Sequence, residues 1–237
     1  MFKSIFVSSY LDNQKTLTSL LQESQATGSF YFLLGLGAFM ATLGLLIDEV
    51  IVVVGAMLVA PLLFPILSLA MGIVTSSRLA VFRSIKVISR SVGLIFVISL
   101  ITSFLFQLEP NGHLLDQINP NLISFLVSFA VGLAVTFTWV RKDLSAILPG
   151  IAVSASLIVP LVALGIGSSL LDRSLIANSL SLFAVNLLSI VLAAGVIFSL
   201  FGFSDLQDEE EKKIAEKDSE EKVHREAIEE AAIFDGK

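Results

Sequence analysis

Cysteine is absent from the 237 residues, and histidine occurs only at His113 and His224. The first absence excludes a disulfide framework and a thiolate metal site, and the second excludes a histidine cluster. No metal and no cofactor are expected. Charge is also scarce, with Asp, Glu, Lys and Arg making up 15% of the chain. It is unevenly spread as well. Residues 204–237 hold thirteen acidic against six basic side chains, net −7, whereas residues 1–203 hold eight against nine, net +1. The sequence pI of about 4.9 therefore describes a tail, not the body. No basic face interleaved with aromatics is present, which leaves no footing for a nucleic-acid partner. No charged residue falls near the centre of a long apolar run. That removes the buried Asp, Glu or His that a carboxylate proton relay, an intramembrane protease or a metal-dependent hydrolase would use. The chain is not expected to be an enzyme.

What the chain has in quantity is apolar surface: 55% of it is hydrophobic, with a mean hydropathy of +0.88. Such a profile predicts an all-α integral membrane protein with the lipid bilayer as its first partner. A spanning helix needs roughly 20 apolar residues. Six runs meet that length: Phe30–Ile47, Val50–Thr75, Val87–Leu108, Ile123–Val140, Ser145–Leu171 and Leu175–Phe203. Between them lie short connectors such as EPNGHLLDQINPN at 109–121, dense in Pro, Gly and Asn. The expected organisation is an N-terminal segment (1–28), a transmembrane domain (29–203) and an acidic charged tail (204–237). Residues 2–24 carry Phe2, Phe6, Tyr10, Leu17, Leu20 and Leu21 at helical spacing, which suits an interfacial amphipathic helix. They show no long apolar run followed by a small-residue cleavage site, so no removable signal peptide is expected. With the N-terminus cytoplasmic, fourteen Lys and Arg lie on that side and only Arg173 opposite. This bias predicts both termini inside. The tail alternates charge blocks and reads as a solvated helix.

The chain also resembles itself. At an offset of 95, residues 29–106 and 124–201 share fifteen identities in 78 gapless pairs. Gly37, Asp48, Gly55, Ala60, Pro65, Gly72 and Arg78 meet Gly132, Asp143, Gly150, Ala155, Pro160, Gly167 and Arg173. Each unit holds three spans, an odd number, so the second must enter the membrane from the opposite face. The expected architecture is two inverted-topology three-helix repeats, in which spans 2 and 5 are interrupted by Pro and Gly. Secondary transporters often build midplane sites from such matched interrupted helices.

GAMLVAPLLFP in span 2 corresponds to GIAVSASLIVP in span 5. Proline breaks free backbone groups that survive at membrane depth only when buried in protein or facing a water-filled cavity. The candidate pathway or substrate-binding residues are therefore Gly55, Pro61, Pro65, Gly150, Ser154, Ser156 and Pro160. Ser91 of span 3 and Asn186 of span 6 join them, since they also match at the same offset. The opposing account is that the prolines kink packed helices and the serines and asparagine are interhelical glue. Arg83, Lys86 and Arg90 share one helix face; they line a cytoplasmic vestibule or contact lipid headgroups. The leading expectation is a transporter or channel-like permease for an unidentified small solute or ion, with its pathway between spans 2 and 5. The competing one is a non-transporting membrane scaffold in which the same glycines and prolines serve packing and homo-oligomerisation.

Three separated stretches carry a family resemblance: VVVGAMLVAPLLFPILSLAMGI, LSAILPGIAVSASLIVPLVALGIG and FAVNLLSIVLAAGVIFSLFGF. Together, over about residues 30–203, they resemble the prokaryotic membrane proteins known as domain of unknown function 389. The resemblance implies a prokaryotic inner membrane and a multi-span fold, and it carries no settled activity. There are two departures. Many relatives place a larger soluble domain before the spans, and Ser156 stands where the first repeat has Pro61.

Overall fold

The computed structural model describes residues 10–106, 115, 118–141 and 147–216, and these are helical apart from short connections. Helix α1 (Tyr10–Glu23) is followed by α2 (Gly28–Leu46), the pair α3 (Val50–Val59) and α4 (Leu63–Val74), and α5 (Arg78–Phe106). The second set is α6 (Leu122–Val140), α7 (Ile147–Ser169) and α8 (Arg173–Leu200). A 3₁₀ turn (Phe203–Leu206) then leads into helix α9 at 207–216.

Four of these helices, α2, α5, α6 and α8, are long and apolar enough to cross a membrane. The α3–α4 pair makes a fifth candidate if its two pieces, bent by 57°, are one span. The chain is thus an all-α, multi-pass membrane protein. Large apolar side chains such as Phe32, Ile51, Phe82, Leu105 and Leu122 lie exposed on the outside of the bundle. In water such a surface would be costly, whereas against lipid tails it is the ordinary one.

Span 2 breaks at 60–62, as the sequence predicts, but span 5 does not: α7 is continuous and carries Pro160 inside it. Spacing explains the difference. Pro61 and Pro65 stand one turn apart, so the carbonyls of Met57 and Pro61 both lose their i+4 donor. A residue before proline also avoids the helical region, and Ala60 is extended at φ −83, ψ 118. Span 5 has Ser156 in place of the first proline and loses one hydrogen bond only.

The turns that end α4 and α7 are alike residue for residue at the 95-residue offset. Ser77 N–H donates to the Gly72 carbonyl at 3.0 Å, and Asp172 N–H to Gly167 at 2.9 Å. Ser76 and Leu171 both adopt positive φ, 59° and 57°. Ser77 Oγ accepts from Ala80 N–H, and Asp172 Oδ1 from Leu175 N–H. Each glycine lets the next helix pack close, Gly72 against Ala80 and Gly167 against Leu175. The neighbours of each helix follow the same exchange: α5 packs on α2, α4 and α7, and α8 on α6, α7 and α4.

Small residues set how near α5 and α7 can come. A Cβ on Gly165 would overlap the Ser99 hydroxyl and stand 3.0 Å from Leu100 N. Gly93 has nothing within 4 Å of the same position. Gly165→Ala is therefore expected to lower the thermal midpoint, at a cost of about 1–3 kcal/mol for overpacking. Gly93→Ala should hold or raise it, since Ala is the better helix former. Thermal unfolding of the purified protein checks both.

Candidate functional site

The break in span 2 exposes backbone acceptors in the middle of an apolar segment, and the residues around it decide what becomes of them. Ser154, on α7 and 4% exposed, donates its hydroxyl to the Ala60 carbonyl at 3.2 Å. This contact ties α7 to the point where α3 stops. One turn further along α7, Pro160 has no N–H for the Ser156 carbonyl. Asn186, on α8 and 5% exposed, supplies the missing donor through Nδ2 at 2.8 Å. Its Oδ1 is buried without a partner.

Of the residues singled out by sequence, the structure thus brings Ser154 to the break and joins Ser156, Pro160 and Asn186. Pro65 and Pro160 are buried and Pro61 is partly exposed. Gly55, on α3, is not a point of close approach, since only Met40 Cε comes within 4 Å of its would-be Cβ, at 3.9 Å. Gly150 is in the first turn of α7, where the surroundings lie outside the described residues. Ser91 is fully buried on α5, and its Oγ has no partner. Arg83 is half-buried on α5, while Lys86 and Arg90 are exposed. A groove of about 330 Å³ opens at the turn after α4, between Ile73, Arg78, Phe82 and Ile85, at the helix end and not at the break.

Sequence reasoning missed a second polar cluster, where α1 and the segment after α8 meet the end of α4. Asn13 Nδ2 donates to the Phe201 carbonyl at 2.8 Å, and Lys213 Nζ to Thr18 Oγ1. Thr75 Oγ1 donates to a carboxylate oxygen of Glu210, which is fully buried. In the segment expected to be a solvated helix, residues 206–216 keep an exposed face and cover Leu206, Glu210 and Ile214 on the other. Its apolar residues are too sparse to signal a core alone, but α1 offers the matching face through Leu17, Leu20 and Leu21.

With this geometry in hand, the family is clear. The model for "Domain of unknown function (DUF389)" matches residues 57–192, from the last turn of α3 to the C-terminal half of α8. The chain belongs to that family. It is 28% identical over 172 residues to the uncharacterized protein MJ0678 of Methanocaldococcus jannaschii, covering 71% of this chain and 53% of that one. The chain thus spans about half the length of the curated relative it matches. No solved structure matches.

Two expectations follow. Asn186→Leu should destabilise the wild type by about 1–2 kcal/mol, the size of an interhelical hydrogen bond in a membrane. In a Pro160→Ala background the loss should be smaller, because the alanine introduced there brings its own N–H to the Ser156 carbonyl. A double-mutant cycle on thermal or denaturant unfolding measures the coupling. At the termini, burial pushes the Glu210 carboxyl up to about 7 from its usual 4.5, the Thr75 hydrogen bond works against this, and Glu211 adds to it. The folded state then holds a proton that the unfolded chain releases between 4.5 and 7. Stability is fullest below that window and falls as pH rises through it, by at most about 3 kcal/mol. Glu210→Gln should flatten this slope and raise the midpoint above pH 7.

Proposed function

We propose that the protein is a permease for a small solute or ion, with its pathway beside the broken second span. The observation that carries this is the break itself. Ala60–Leu62 leave the helix inside an apolar segment, and the Ala60 carbonyl there accepts the Ser154 hydroxyl of α7. A backbone interruption at depth costs several kcal/mol unless protein or a water-filled cavity covers it. Transporters place such interruptions where they bind cargo.

In this reading α7 is the sixth span, and the two triplets α2–α5 and α6–α8 are inverted repeats. The matched turns at Ser76–Arg78 and Leu171–Arg173 support it. Three spans per unit then put those turns on opposite faces of the membrane. The basic residues favour a cytoplasmic side holding both termini, in a prokaryotic inner membrane. Arg83, Lys86 and Arg90 then face the cytoplasm, as a vestibule or among lipid headgroups.

A scaffold is the second reading, favoured by the tightness of the centre. Gly37 abuts Ala56 and Ala60, Gly132 abuts Ile190 and Ala193, and Gly165 abuts Ser99. Such contacts also suit a rigid, homo-oligomerising protein that moves nothing.

Thiol labelling separates the two. The chain has no cysteine of its own, so single cysteines can be placed from Val54 to Ile73 and from Val153 to Ser168 without further change. An impermeant thiol reagent is applied to membranes from either side. The permease account expects reaction near Pro61, Pro65 and Pro160 from both sides. If those positions stay unreactive while the helix ends label, the scaffold reading replaces it.

A further inference from the structure

Leu206, Glu210 and Ile214 recur every fourth residue, and all three are fully buried. A carboxyl thus stands at the centre of a stripe that is otherwise apolar. Hydrogen bonds hold the segment on either side of it. Gln207 Nε2 donates to the Ser76 carbonyl at 3.5 Å, and Lys213 Nζ to Thr18 Oγ1 and to the Gln14 carbonyl. Between them Glu210 meets Thr75 at the end of α4.

The donors around Glu210 suit the neutral acid and not the anion. A carboxylate only accepts, whereas a carboxylic acid brings one proton of its own. Thr75 Oγ1 also lies 3.0 Å from the Met71 carbonyl. The acid can therefore donate to Thr75 while Thr75 donates to Met71, and every proton has an acceptor. Once ionised, the carboxylate must draw the Thr75 proton to itself, and its Oε1 is buried with no donor at all. No nearby cation compensates. Lys15 and Glu23 of α1 and Arg78 beyond the α4 turn are exposed, and Lys213 is committed to Thr18. On α9 itself Glu209 and Glu211 are half-buried, and Glu211 adds repulsion. The other charged side chains of 205–216 are exposed.

We propose that residues 206–216 form a proton-operated latch, docked on the end of α4 while Glu210 is neutral and released when it ionises. The hinge is short. Phe203 is buried against Phe198 at 5.3 Å, and Asn13 holds the Phe201 carbonyl, so the chain is fixed as far as Phe203. Ser204 and Asp205, both exposed, join it to the latch. Burial lifts the docked carboxyl to about 7 from 4.5, so the anion docks roughly 300-fold less tightly than the acid. Docking is tightest below pH 4.5, weakens about tenfold per pH unit and levels off above 7. Release uncovers Thr75 and the Ser76 carbonyl, where the second piece of the broken span ends. The latch stands apart from the permease reading, since a scaffold would carry it equally well.

The full chain in lipid nanodiscs provides the test. Spin labels are attached through Lys15→Cys on α1 and Ala215→Cys on α9, both exposed positions in a chain without native cysteine. Double electron–electron resonance then reads their separation from pH 5 to 9. One narrow, short distance is expected at pH 5. A second, longer and broader population should grow as the pH rises to 7 and hold beyond it, with helicity by circular dichroism unchanged. Glu210→Gln should keep the narrow distance at every pH. Glu210→Leu should do the same, and it decides the matter if Glu210→Gln does not fold. A wild-type distance that stays narrow to pH 9 would refute the latch, and a broad one already at pH 5 would refute the docking. Growth of the broad population in both variants would refute Glu210 as the trigger. Growth in step with lost helicity would be unfolding, and would refute the latch as well.

Discussion

A carbonyl group inside a bilayer must find its donor within the protein, because lipid tails offer none. Much of the centre of this molecule follows from that constraint. Three prolines remove three helix donors, at Pro61, Pro65 and Pro160, and each loss must be covered from elsewhere. Asn186 reaches across from α8 to the Ser156 carbonyl freed in this way, and Ser154 reaches from α7 to the Ala60 carbonyl at the break. Those two hydrogen bonds run between spans, so they also lock α7 against α3 and α8 against α7. Close approach is a precondition, since neither side chain is long.

The two halves solve the same problem differently. In the second, one proline and one asparagine balance, and the helix stays whole. The first has two prolines and a serine, and there the helix parts by 57°. The halves nevertheless share their turns to within a few degrees of φ and a tenth of an ångström of hydrogen-bond length at Ser77 and Asp172. The common framework makes the difference at the centre stand out as a local one, Pro61 against Ser156 and Ser91 against Asn186.

Much of this was legible in the sequence, because prolines and glycines act through the backbone wherever they stand. The α3–α4 break, the offset of 95 and the company of Ser154, Ser156 and Asn186 could all be read from residue types and spacing. The continuity of α7 could not be read from Pro160 alone, since it turns on Ser156 standing where the first repeat has a second proline. Gly55 looked equivalent to Gly150 in spacing, yet it is not a point of close packing. The docking of the termini was hidden for another reason. Leu17 and Leu20 of α1 and Ile214 are all buried, yet each belongs to a sparse apolar face that is not strong by itself. Glu210 illustrates the limit further: a buried carboxyl in a charged run looks like any other solvated acid until Thr75 is placed beside it.

The central claim is that the Asn186 carboxamide replaces the donor that Pro160 removes. Solid-state NMR in lipid bilayers addresses it most directly, with nitrogen-15 in asparagine side chains and carbon-13 in serine carbonyls. A through-space correlation between Asn186 Nδ2 and the Ser156 carbonyl is predicted, at a separation set by the 2.8 Å N–O contact. Its absence, with both signals assigned and rigid, would contradict the account.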